Sequence, residues 1–217
     1  MQSDSRGDTL KRITKAALGG LAGCALVLGG TQAATSAVEY FPYPEEELVD
    51  LPAPGPFDGA SATMRLKVSG TGTNFKLEVN DIATSAEGDV FGAHLHTYAC
   101  DEVPPPGEPG AGQLGGPHYN DEVVVGGKAF PKPGEVPSET IAKVSSETEV
   151  WFSFVPNAHG DATDDATVPF VPVDPDSKMS IVVHLLPTNT DPLLGPVGGA
   201  GLRQACFPLS VSGVFPT

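Results

Sequence analysis

Two histidines separated by a single residue, in Phe91-Gly92-Ala93-His94-Leu95-His96, are the most chemically suggestive feature of this sequence. The run is strand-like. Side chains alternate faces along a strand, so both imidazoles project to one side with Cα atoms about 6.5–7 Å apart. Two ring nitrogens so placed can reach one metal ion at about 2.0 Å. Taken alone, such a pair more often packs or faces solvent than binds metal. The other histidines change that reading. His118 lies in the glycine-rich loop Gly115-Gly116-Pro117-His118-Tyr119-Asn120, and His184 ends the apolar run Ile181-Val182-Val183-His184. Either one alone would serve as a cap or core residue. A strand pair, a loop histidine and a strand-end histidine before a long loop together make a four-imidazole set suited to a transition metal. The fifth, His159, falls in Asn157-Ala158-His159-Gly160-Asp161 and reads as a solvent-facing turn residue.

The elements that must position these residues are strands. Met64, Leu66 and Val68 alternate with polar neighbours, as do Phe75, Leu77 and Val79, and Gly70-Thr71-Gly72 separates the two runs at hairpin spacing. Further strands are expected over 90–98, 149–155, 167–173, 178–185 and 206–214. No stretch has helical periodicity. Two irregular segments, about 100–148 and 186–202, interrupt the strands, and loops of that length in a compact domain are usually functional. The 26 glycines and 22 prolines suit such a turn-rich chain. The pattern predicts an antiparallel sandwich carrying two long loops.

Residues 1–34 read as a secretory signal: a basic stretch Leu10-Lys11-Arg12-Ile13-Thr14-Lys15, an uncharged apolar run over 16–30, then small residues with Ala33 or Ala37 before the cut. A second reading is a lipobox, Leu21-Ala22-Gly23-Cys24, with Cys24 lipidated; the apolar Ala25-Leu26-Val27-Leu28 after it speaks for simple secretion. Membrane attachment is expected only in the lipidated case. With Cys24 in the leader, Cys100 and Cys206 remain, an even pair that fits one disulfide in an oxidising compartment. The chain is therefore expected to be secreted or held in the cell envelope. Residues 35–58, with five prolines and Glu45-Glu46-Glu47, read as a linker or loosely docked arm before a domain over 59–217. The net charge of −15 argues against nucleic acid and anionic lipid as partners. No glycine-rich loop precedes a helix, so no organic cofactor is expected.

Across residues 60–215, in order and approximate spacing, the sequence resembles the copper–zinc superoxide dismutase family. The resemblance is carried by Gly92-Ala93-His94-Leu95-His96, Gly116-Pro117-His118-Tyr119-Asn120, Val182-Val183-His184 and Gly201-Leu202-Arg203-Gln204-Ala205-Cys206. It implies an all-β, eight-stranded antiparallel Greek-key sandwich or barrel with two long functional loops. It implies His94, His96, His118 and His184 as copper ligands, a Cys100–Cys206 disulfide, and Arg203 as the arginine that attracts the anionic substrate, superoxide.

The resemblance also has gaps. In the family the loop histidine bridges to zinc, whose other ligands follow within a few dozen positions. Here no histidine stands between Tyr119 and Ala158, so a zinc site is not expected. Copper-only relatives exist, in which an acidic residue orients the former bridging imidazole; Glu149 is the candidate, and an exposed strand-start glutamate is the alternative. The second loop, 187–202, carries Asp191 as its one charged residue, so attraction of superoxide must rest on Arg203 and the metal. The alternative for Arg203, less favoured, is an ordinary structural ion-pair partner. Three functions are compatible with this pattern: a copper-dependent superoxide dismutase, a non-enzymatic copper-binding or copper-buffering protein on the same fold, and a sandwich used as an interaction module. Arg203 beside the disulfide cysteine favours the first.

Overall fold

The alternation of Met64 and Leu66 with polar residues places them inward on β3 (Ser61–Ser69), facing Leu77 and Phe75 on β4 (Gly72–Asn80) across an antiparallel ladder. The structure is a computed structural model and describes residues 39–51, 55–132, 135–173, 178–193 and 196–209. The leader, with Cys24, and residues 210–217 lie outside the described residues. The remaining strands are β1 (Glu39–Glu47), β2 (Val49–Asp50), β5 (Phe91–His96), β6 (Trp151–Phe154), β7 (Ala162–Val168), β8 (Ser180–His184) and β9 (Arg203–Pro208). One antiparallel sheet has the order β1-β3-β4-β7 and the other β2-β9-β8-β5-β6. Sequence-distant strands are neighbours (β4 with β7, β5 with β8), so the chain crosses between sheets in the Greek-key manner. Phe75, Leu77, Phe152, Phe154, Ile181, Val183 and Phe207 fill the space between the sheets.

The segment read as a linker departs from that expectation. It supplies β1, which pairs with β3, and β2, which pairs with β9. Pro42 and Pro44 are tolerated because β1 is an edge strand with an irregular register between Tyr43 and Glu46. Buried Tyr43, Leu48 and Leu51 anchor it, too widely spaced to give a periodic signal. The described strands therefore number nine rather than eight, and the sandwich begins before residue 59. The strand expected over 167–173 also lies earlier, at β7. Pro169 and Pro172 end it, and its inward face is only Ala162, Ala166 and Val168 among aspartates and threonines. The last strand begins three residues before the expected Cys206 and so includes Arg203.

A second, smaller apolar cluster of Leu51, Cys100, Val182 and Cys206, with Leu114 against it, lies outside the main core. Here the disulfide joins Cys100 to Cys206, with Cα atoms 5.6 Å apart across 106 residues of sequence. It fastens the first long loop to β9. Between these anchors and β6 the loop makes one short helix, α1 (Asp121–Val124), capped by the Asn120 side chain. Among the described residues no helix is long and apolar enough to cross a membrane.

Candidate metal centre

The five-stranded sheet is buried on both faces at β5. Ala93 and Leu95 enter the main core. His94 and His96 point the other way, beneath the long loops. β8 pairs with β5 so that Val182 lies opposite His94 and His184 opposite Gly92, which brings His184 to the same face. The loop histidine arrives through backbone pairing: His96 and His118 form an antiparallel bridge, and the Tyr119 amide donates to the Leu95 carbonyl at 2.7 Å. One ligand atom from each of His94, His96, His118 and His184 lies within 4.8 Å of all the others.

Hydrogen bonding assigns the ring nitrogens. His96 Nδ1 meets the Gly116 carbonyl at 2.9 Å, His184 Nδ1 the Gly201 carbonyl at 3.2 Å, and His118 Nδ1 the Glu149 carboxylate at 3.0 Å. Carbonyls and carboxylates only accept, so these three Nδ1 atoms donate and each ring offers Nε2. His94 is turned around. Its Nε2 meets the Thr188 hydroxyl at 2.8 Å, and its Nδ1 is buried with no protein partner. A buried, unsatisfied polar atom costs about 1–3 kcal/mol. A metal ion at the centre of the four rings would satisfy His94 Nδ1 and take the lone pairs of the three Nε2 atoms, of which those of His96 and His184 now face each other at 3.5 Å, so the residues fit one. An all-imidazole donor set suits a first-row transition ion such as copper, zinc, iron or nickel.

Electrostatics keep these lone pairs available. Burial, and then the neighbouring His118, hold His94 and His96 well below the ordinary histidine range. The same two causes pull His184 down to about 3, against the opposing hydrogen bond to Gly201. All three rings are neutral at neutral pH.

The four-histidine cluster and the disulfide fit the copper–zinc superoxide dismutase family. Among solved structures the chain is similar to a Cu/Zn superoxide dismutase from Brucella abortus, at 19% identity over 79% of this chain and 99% of that chain, with a TM-score of 0.47. No protein-family model and no curated protein sequence matches the chain.

On the side of His118 away from the cluster, Glu149 is 2% exposed, not the solvent-facing glutamate that was the alternative. Its Oε2 accepts from His118 Nδ1 and, at 2.9 Å, from the Trp151 indole N–H; its Oε1 accepts from the Asn120 amide at 3.1 Å. Asn120 also donates to the Lys143 carbonyl at 2.8 Å, and its Oδ1 accepts the Glu122 amide. The second long loop closes over this network at Gly198, whose φ of +82° and distance to Val144 leave no room for a side chain. Asn120, Trp151 and Thr188 were not singled out from the sequence. Two of them carried a signal: Glu149 and Trp151, like His118 and Asn120, are two apart and project to one side of an extended chain.

Arg203 lines a pocket of about 440 Å³ together with His118, His184, Leu114, Ala200 and Leu202, on the open side of the cluster. Its guanidinium donates to the Leu114 carbonyl and, at 2.7 Å, to the Gly116 carbonyl that His96 also uses. Burial lowers its pKa to about 10, still charged at neutral pH. Arg203 reaches this face through an irregularity in β9. Val183 pairs with Ala205 and His184 with Arg203, so Gln204 is an extra residue, a bulge. His159 lies on an exposed turn built by Asn157, as the sequence predicts.

Proposed function

We propose that the protein is a copper-dependent superoxide dismutase that works outside the cytoplasm and carries no zinc. The observation that supports this most is the convergence of four ring nitrogens beneath a pocket whose wall bears a half-buried, charged arginine. His94 through Nδ1, and His96, His118 and His184 through Nε2, would hold the copper. Bound copper supplies one-electron exchange, by which two superoxide ions and two protons become dioxygen and hydrogen peroxide.

The chain's own residues do the rest. Burial keeps the His94, His96 and His184 rings deprotonated at the ligating atoms, and the hydrogen bonds of the four rings fix which nitrogen faces inward. The Glu149 hydrogen bond occupies His118 Nδ1, the atom that would otherwise bridge to a second metal. The Arg203 guanidinium at the pocket wall attracts an anion against a net charge of −15 and can hydrogen-bond it on docking. The Cys100–Cys206 disulfide supports an oxidising compartment, in line with the leader read over 1–34.

A copper-buffering role is the second reading, favoured by pocket walls on which, among the described residues, Arg203 is the sole charged one. Elemental analysis after copper and zinc loading, followed by a superoxide-consumption assay, separates the two. The enzyme reading expects about one copper, far less zinc, and turnover. Copper without turnover supports the buffer, and stoichiometric zinc overturns the copper-only site.

A further inference from the structure

The Glu149 carboxylate that faces His118 does not hold itself in place. A terminal carboxylate torsion is broad and roughly two-fold, so a glutamate tied only to His118 could present either oxygen over a range of angles. Here the two oxygens have different fixed donors. The Trp151 indole shares Oε2 with His118, and the Asn120 amide takes Oε1. Trp151 is itself fixed. It is paired with His94 across the β5–β6 ladder, and its ring meets the His94 ring edge-on at 6.3 Å between centroids. Gly198 lies against the indole at Cζ2, where an added Cβ would sit 3.4 Å away. An indole nitrogen donates and never accepts, so it can orient the carboxylate but cannot take a proton from it.

We propose that Trp151 is a positioning residue for His118, its indole N–H setting the Glu149 carboxylate so that His118 keeps its hydrogen on Nδ1 and turns Nε2 to the metal. This rests on the reading that the four rings hold a metal. The direct hydrogen-bond partner of a ligating histidine, here Glu149, is typically worth 10–100-fold in metal affinity, and Trp151 acts through it. The side chain touches the settings of two ligands at once: it hydrogen-bonds the carboxylate behind His118 and packs against His94.

Trp151 is the chain's only tryptophan, so the N–H can be removed without changing the shape. The full chain is produced with benzothienylalanine in place of tryptophan, which substitutes sulfur for the indole N–H, and in parallel with fluorotryptophan, which keeps it. Trp151→Phe gives the same comparison genetically should the analogue fold poorly. Long-range proton–nitrogen NMR of the metal-free protein reads the His118 tautomer, and copper(II) titration against a competing chelator reads affinity. With fluorotryptophan, a single Nδ1–H tautomer and parent affinity are expected. With benzothienylalanine, mixed His118 tautomers and roughly 10–100-fold weaker copper binding are expected, with the disulfide and circular dichroism unchanged. An unchanged single tautomer in the sulfur analogue overturns the proposal. If the parent chain binds no copper, the metal reading fails, and the tautomer measurement still decides the role of Trp151.

Discussion

Replacing Glu149 by Gln keeps size and shape while removing one acceptor oxygen and the charge. In the native structure the carboxylate accepts three N–H groups: two on Oε2, from His118 and Trp151, and one on Oε1, from Asn120. Glutamine offers one oxygen and one donating NH2. With its oxygen in the Oε2 position, it keeps His118 and Trp151 but sets donor against donor at Asn120. The flipped amide loses two partners instead. The better arrangement leaves one buried donor unsatisfied, about 1–3 kcal/mol, and converts two charge-assisted bonds into neutral ones, about 1 kcal/mol each. Glu149→Gln is therefore expected to destabilise the metal-free fold by roughly 3–5 kcal/mol and to weaken copper binding by about 10–100-fold. Urea denaturation of metal-free protein and competitive copper titration measure the two effects. A variant within about 0.5 kcal/mol of the parent and with unchanged affinity would refute the account of Glu149 as the buried hub behind His118.

Three further outcomes follow from the same structure. Arg203→Gln should lower catalytic efficiency for superoxide at least about tenfold, roughly 1.4 kcal/mol, in a salt-dependent way; equal activity at low salt would remove the steering role. The metal-free protein should lose stability as pH falls from about 6.5 toward 3. The unfolded chain takes up a proton at His184 near 6.5 that the fold refuses until about 3, so stability rises with pH across that window, by at most roughly 5 kcal/mol from this residue. His94 and His96 act in the same direction, and chemical denaturation at several pH values reads the sum. Reduction of Cys100–Cys206 should cost on the order of 4–5 kcal/mol in the loop-entropy description, and non-reducing peptide mapping should recover the linked pair.

What the sequence revealed followed residue spacing. His94 and His96 were legible because period-two geometry forces them together, and β3 and β4 because apolar residues alternate cleanly. β1 and β7 were obscured: one is interrupted by prolines at an edge, the other builds its inward face from alanines. The side chains behind the ligands were hardest to see. Thr188 meets His94 from 94 residues away, a contact set by loop closure that leaves no local pattern. Trp151 stands in the expected 149–155 strand, yet nothing local says that its nitrogen rather than its ring surface matters.

The bulge at Gln204 has a consequence for how this strand tolerates length changes. Cys206 and Arg203 are three residues apart, so a regular strand would aim them at opposite faces. The extra residue restores the phase, and one strand grips both ends of the Cys100–Gly116 segment: covalently at one end and through the guanidinium at the other. Deleting Gln204 would remove the bulge and leave Arg203 two residues before Cys206 in a regular ladder, so both would stay on one face with Arg203 still opposite His184. The bulge is thus slack in the ladder: one residue can be lost here without turning a side chain over, whereas loss of Phe207 from the regular pairing with β8 would put the residues on one side of the cut out of phase.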